Sequence, residues 1–187
     1  VGNLKRPNLS DIKPDINSIK LIPSFTNMLL KGGDNNLLDF CIKQLSILGF
    51  QVLDLRKIIP ENFLNYGNQT NISFSKVNMN DIKKGKRILD YISRFDIGQS
   101  IIMNNGNVIG IEAAQGTDNL IKESKIYLNK NEKSILIKLA KIKQNLKADL
   151  PTIGIKTVIN CSKSNVAGIA YSAKKTLFLQ KKKIVKY

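Results

Sequence analysis

The sequence predicts an α/β protein in which a linker and a remnant α/β segment precede a C-terminal α/β domain with a mixed sheet. Three observations lead there. Val108-Ile-Gly-Ile111 is apolar and rich in β-branched residues, and it runs through a Gly/Thr/Asp turn into a segment with Leu120, Ile121, Ser124 and Leu128 at helical spacing. That pattern is strand, turn, helix. Asn104-Asn-Gly-Asn107 separates Ile101-Ile-Met103 from that strand and is a hairpin signal. Upstream, a helical pattern ends at Gly49 and Phe50-Gln-Val-Leu-Asp-Leu55 follows as a strand, the closing half of an α/β unit.

The remaining elements follow in chain order. Residues 1–20 hold Pro7 and Pro14 among Asn, Ser and Asp and read as a linker. Ile19, Ile22, Phe25, Met28 and Leu29 predict an amphipathic helix over 18–31, interrupted early by Pro23. Gly32-Gly33 ends it, and Asp34 caps a second helix that buries Leu37, Leu38, Cys41, Ile42, Leu45 and Leu48. Residues 21–66 therefore close the N-terminal part, and 67–187 form the C-terminal domain. The polar stretch 61–79 between them is the best internal loop. A helix over 79–95 starts at Asn80 or Asp81 and turns Ile82, Ile88, Leu89 and Ile92 to one side. A strand over 133–140 carries Lys138 among apolar residues, a helix spans 156–164, and strands cover 165–171 and 175–179.

Composition narrows the chemistry. The chain has 187 residues, a net charge of +16 and no histidine. The missing histidine removes imidazole bases and His-based zinc sites, leaving carboxylates, Lys, Ser/Thr, Tyr and a hard metal ion. Cys41 and Cys161 lie far apart in apolar helical contexts and read as buried small residues in a reducing compartment. No apolar run approaches the roughly 18–20 residues that span a bilayer. The basic excess favours anionic partners: nucleic acid, a phosphorylated substrate or an anionic membrane face. A general bias toward Lys, Ile and Asn accounts for the same charge without a partner. The chain starts at Val1 and reads like the middle of a protein, so its natural beginning is expected to be missing.

Two acidic turns carry the functional candidates. In Glu112-Ala-Ala-Gln-Gly-Thr-Asp118, Gly116 can take a backbone angle closed to other residues, and Thr117 or Asp118 is a good N-cap. The helix start offers backbone N–H groups to an anion. Glu112 and Asp118 fall at one end of the sheet and could share a divalent cation. An ordinary capped turn has the same pattern. In Lys147-Ala-Asp149-Leu-Pro-Thr-Ile-Gly154, the proline holds the preceding backbone away from helix, so Asp149 sits on extended or turned chain. The plainer reading is that Asp149 or Thr152 caps the next helix. Arg6 beside Pro7 could fork onto a phosphate.

Read together, Arg6-Pro-Asn-Leu-Ser-Asp11, Gly32-Gly-Asp-Asn35, Asp96-Ile-Gly-Gln-Ser100, Glu112-Ala-Ala-Gln-Gly-Thr-Asp118, Asp149-Leu-Pro-Thr-Ile-Gly-Ile-Lys-Thr-Val158 and Ala167-Gly-Ile-Ala170 resemble one family across essentially the whole chain. It is the metal-dependent, two-domain UDP-2,3-diacylglucosamine pyrophosphatase family of lipid A biosynthesis. The resemblance implies hydrolysis of UDP-2,3-diacylglucosamine to UMP and 2,3-diacylglucosamine 1-phosphate, with Mg2+ as cofactor. It implies a cytoplasmic protein peripheral on the inner face of an anionic membrane, with a homodimer among the arrangements allowed and no specific nucleic-acid partner. It points to Asp149 and Asp118 as catalytic, to Asp149, Asp118 and Glu112 as metal ligands, and to Gly116, Thr117, Lys138, Gln99, Arg6 and Thr152 as substrate contacts. The chain departs from the family pattern at Gln115, Asn145 and Lys147, where Glu, Asp and Arg are usual. It also looks short of most of the N-terminal domain. A basic nucleic-acid-binding module and a non-catalytic scaffold are the competing readings. The first rests on charge alone, since aromatics are 6% with no Trp.

Overall fold

The computed structural model describes Asp15 and residues 34–186. The predicted helix over 18–31, Arg6 and all of the linker except Asp15 lie outside them. The centre is a four-stranded mixed sheet in the order β2-β1-β3-β5. Strand β1 (Ser100–Asn104) and strand β2 (Asn107–Ile111) form the expected hairpin, turning at Asn105 and Gly106 with positive φ of 48° and 81°. β1 also pairs antiparallel with β3 (Ser134–Lys138), which pairs parallel with β5 (Val166–Tyr171). The mixed-sheet expectation holds. Between β3 and β5 the chain makes β4 (Thr152–Ile153) and helix α5 (Ile155–Lys163), and β4 pairs parallel with β6 (Leu177–Phe178) in a small second sheet.

The pleat divides the core. Ile102 and Leu136 point to one face, where they pack with Leu120, Ile121, Leu128, Cys161 and Val166 beneath α5 and helix α4 (Gly116–Ser124). Ile101, Met103, Ile135 and Ile137 point to the other and meet Leu89, Ile82, Ile88 and Ile92 of helix α3 (Lys76–Ile92). This is the two-residue alternation of a strand buried on both faces. Each fully buried aliphatic side chain among them, such as Ile101, Ile102, Leu136 and Ile137, stabilises the fold by about 1.5–3 kcal/mol.

Some local expectations are corrected. α3 begins at Lys76, not near residue 80, because Ser75 and Asn78 form a reciprocal capping box. Asp81 is no cap; it is buried and accepts the Gly106 N–H at 2.7 Å, which anchors the hairpin turn. Phe50–Leu55 forms no strand. Asp54 accepts the Arg56 N–H at 3.0 Å and starts the short helix α2 (Leu55–Ile58) instead. Helix α1 (Asp34–Ile47) forms as expected, yet Leu45 and Leu48 are 40% and 71% exposed, so its predicted apolar face is only partly covered. The expected strand 175–179 shortens to β6, and Lys181–Lys186 forms an unanticipated helix α6.

Candidate active site

The register of the sheet assembles the polar centre. Lys138, last residue of β3, pairs with Ser100 at the start of β1 and with Tyr171 at the end of β5. β2 runs back antiparallel to the same edge, so Glu112 emerges beside Gln99 and Ser100, and its N–H donates to the Ser100 carbonyl at 2.8 Å. Gly98 makes this approach feasible. Its φ is +25°, and a Cβ there would lie 1.9 Å from the Glu112 carbonyl oxygen. Lys138, like Ile102 and Leu136, faces the α4 side of the sheet by alternation. The first turn of α4 therefore lies over it.

Thr117 is the hub. Its hydroxyl accepts from Lys138 Nζ at 2.5 Å and donates to Glu112 Oε1 at 2.8 Å, and Ser100 Oγ lies 3.3 Å from it. The other Glu112 oxygen accepts the Gln99 N–H at 3.2 Å. Lys138 and Glu112 are both buried, 7% and 9% exposed, so their charges act on each other in low dielectric. Burial pushes the Glu112 carboxyl up, but the Lys138 charge and hydrogen bonds from Ser100, Thr117 and the Gln99 N–H outweigh it and leave it below its usual range. Burial pulls the Lys138 ammonium below its usual range, and Glu112, Asp118 and Asp149 only partly offset this.

One carboxylate from each acidic turn, Asp118 and Asp149, acts electrostatically on this buried ammonium. Asp118 lies in the first turn of α4 and pairs with exposed Lys156 of α5 at 3.1 Å. Gly116 has φ +75° with open space around its Cα, so conformation and not crowding calls for glycine. The helix begins at Gly116, so Thr117 and Asp118 are first-turn residues and not the N-cap; Gln115 holds that place without a side-chain cap bond. Asp149 follows a turn on irregular backbone, as the proline spacing predicts, and accepts from Gln144 Nε2. Neither Asp149 nor Thr152 caps α5, which starts after Gly154. Thr152, the first residue of β4, donates to the Leu150 carbonyl at 2.9 Å. Gln99 accepts from Gln144 at 3.4 Å. Asn145 donates to Asp39 of α1 at 2.7 Å, tying the N-terminal segment to the Asp149 loop.

Among the described residues, no group of three or more His, Cys, Asp and Glu side chains could hold a metal ion. Glu112, Asp118 and Asp149 thus form no cage of their own, and Glu112 is instead engaged by Thr117 and Lys138. The three-carboxylate metal set that the resemblance implies is therefore not assembled among the described residues: Asp118 pairs with Lys156 and Asp149 accepts from Gln144. An apolar groove of about 550 Å³ lined by Ile109, Ile111, Leu120, Ile126 and Tyr127 runs beside β2, but neither Lys138, Thr117 nor Asp149 lines it. Ser100, Gln144 and Lys156 were not singled out from sequence as site residues. Ser100 stood inside the quoted Asp96–Ser100 run, and Gln144 stands five residues before Asp149. Lys156 gives no local signal in so basic a chain.

Fold and site define a mixed-sheet α/β protein whose polar centre gathers a buried ammonium, hydroxyls and acidic turns at one sheet edge. The family description LpxI C-terminal domain matches residues 65–187, and LpxI N-terminal domain matches residues 1–62. The chain belongs to the LpxI family, with both of its domains represented. It is 28% identical over 190 residues to the UDP-2,3-diacylglucosamine pyrophosphatase LpxI of Caulobacter vibrioides, an alignment covering 98% of this chain and 68% of that protein.

Proposed function

We propose that this chain hydrolyses UDP-2,3-diacylglucosamine to UMP and 2,3-diacylglucosamine 1-phosphate in lipid A biosynthesis. Family membership supports the reading, as does the name of the Caulobacter relative, a UDP-2,3-diacylglucosamine pyrophosphatase. The observation that carries it is Lys138, a buried cation bonded to Thr117 in the first turn of α4 and acted on by the charges of Asp118 and Asp149. Such an arrangement neutralises a diphosphate without reorganising solvent.

In this mechanism water attacks the α-phosphorus, and the bond from that phosphorus to the bridging oxygen breaks. The bridging oxygen leaves with the lipid 1-phosphate, and the water oxygen stays on UMP. Asp149, held by Gln144, orients the water and takes its proton. Lys138 offsets the charge that grows on the phosphate, and the first-turn backbone N–H groups of α4, that of Thr117 among them, bind its oxygens. Glu112 keeps Lys138 and Thr117 in place. Asp118 and Asp149, joined by substrate phosphate oxygens, would hold Mg2+, which when bound would lower the negative charge of the diphosphate. Gln99 would donate to the substrate.

We extend the proposal to location. Lys174, Lys175, Lys182, Lys183 and Lys186 are exposed near the C-terminus, and each well-placed Lys adds about 1 kcal/mol at an anionic surface. Attachment would be peripheral, on the cytoplasmic face; among the described residues no helix is long and apolar enough to cross a membrane. Flotation with anionic vesicles that falls with salt is expected, and salt-insensitive flotation would contradict it.

The test of the activity is UMP release by the purified chain from UDP-2,3-diacylglucosamine, with Mg2+ and with excess chelator. Release with Mg2+ and its loss with chelator are expected. No release at any divalent metal concentration would overturn the reading.

A further inference from the structure

Gln144 is buried at 8% exposure in the loop between β3 and Asp149, and all its side-chain bonds are internal. Its Oε1 accepts the Lys141 N–H at 2.9 Å. Its Nε2 donates to Asp149 Oδ2 and toward Gln99 Oε1 at 3.4 Å. The two ends dictate the orientation. A backbone N–H can only donate, so the Gln144 carbonyl must face Lys141, and an ionised carboxylate can only accept, so the NH2 must face Asp149. The same NH2 then meets the Gln99 carbonyl. That leaves Gln99 Nε2 as a donor with no hydrogen bond among the described residues.

We infer that Gln144 is a positioning residue: its amide fixes Asp149 as an acceptor and sets the Gln99 side chain with its NH2 group outward. Gln144 does not itself touch substrate. It acts through Asp149 and Gln99, and the Lys141 backbone sets its own orientation. Lys141 is in turn held by its part-buried ion pair with Asp96, so the relay starts from a fixed strut. Outer residues of this kind characteristically cost 10–100-fold when lost. The catalytic half of the inference rests on the proposed hydrolysis; the hydrogen-bond relay does not.

The experiment has two arms. In the first, kcat and KM for UMP release are compared for the wild-type chain, Gln144→Leu and Gln144→Glu, with thermal midpoints as the folding control. Leu keeps the bulk and loses the bonds; Glu keeps the shape but presents a carboxylate to Asp149. Both are expected to lower kcat about 10–100-fold with KM within about twofold, the pattern of a lost transition-state interaction. In the second arm, 15N-labelled wild-type chain and Asp149→Asn are compared by NMR. The Gln144 side-chain NH2 signals are expected to shift in Asp149→Asn. Folded Leu and Glu variants with wild-type kcat, or Gln144 signals unmoved by Asp149→Asn, would overturn the inference. If the wild-type chain releases no UMP, the hydrolase reading fails, and the NMR arm still decides the relay.

Discussion

Lys138 Nζ donates to Thr117 Oγ1 at 2.5 Å, joining the end of a central strand to the first turn of a helix through a buried ammonium. Replacing Lys138 with Met therefore acts on two levels. Loss of one charge-stabilising donor is expected to lower kcat about 10²–10³-fold. Glu112 is also left buried without its cation, which costs about 3–5 kcal/mol. Urea denaturation and UMP release separate the two effects. The double variant Lys138→Met/Glu112→Gln recovers most of the stability and none of the rate.

The same pair gives stability a pH dependence with a definite sign. The folded Glu112 carboxyl lies below its ordinary 4.5, so its contribution is fully present above that pH and is lost as pH falls through the depressed folded value. Lys138 gives a slope of the same sign in a higher pH window. Its folded value lies below the ordinary 10.5, so the unfolded chain holds more protons in the window between the two, and stability rises with pH there. Urea midpoints against pH are expected to show a shallower acid limb in Glu112→Gln and no alkaline rise in Lys138→Met.

Gly98→Ala tests whether the close crossing at Glu112 is needed. The added methyl meets backbone at 1.9 Å and the residue keeps a positive φ, so something must move. A loss of at least about 1 kcal/mol is expected, since strained Gly→Ala changes exceed the entropy they save. Activity falls further than stability, because Gln99 and Glu112 both flank the shifted segment.

The two cysteines differ in chemistry. Cys41 is exposed, whereas burial pushes the Cys161 thiol up to about 12. The thiolate is the reactive form. One equivalent of an alkylating reagent is therefore expected to label the native chain at Cys41 at pH 8, and Cys161 only after unfolding. Peptide mapping by mass spectrometry reads this directly.

Much of this was legible in the residues. The hairpin at Asn104–Asn107, the strand–turn–helix at 108–124 and the positive φ at Gly116 all follow from local rules of twist, spacing and glycine conformation. Asp149 stood out because a nearby proline limits its backbone. What stayed hidden depends on pairing partners distant in sequence. Phe50–Leu55 has strand composition but no neighbouring strand among the described residues, and Asp54 caps a helix instead. Leu45 and Leu48 have helical apolar spacing, which says which face they share and not whether anything covers it. Glu112 was read as a metal ligand from its place in the turn. Its engagement with Thr117 and Lys138 follows from the β1–β3 register, which no local pattern encodes.

In the proposed mechanism the two acidic turns and Lys138 act as one hydrolytic centre with Asp149 as its base. The most direct measurement is kcat/KM for UMP release by Asp149→Asn, with its thermal midpoint taken alongside. A fall of about 10²–10⁴-fold at an unchanged midpoint is predicted. Hydrolysis by a folded Asp149→Asn variant at the wild-type rate would contradict the account.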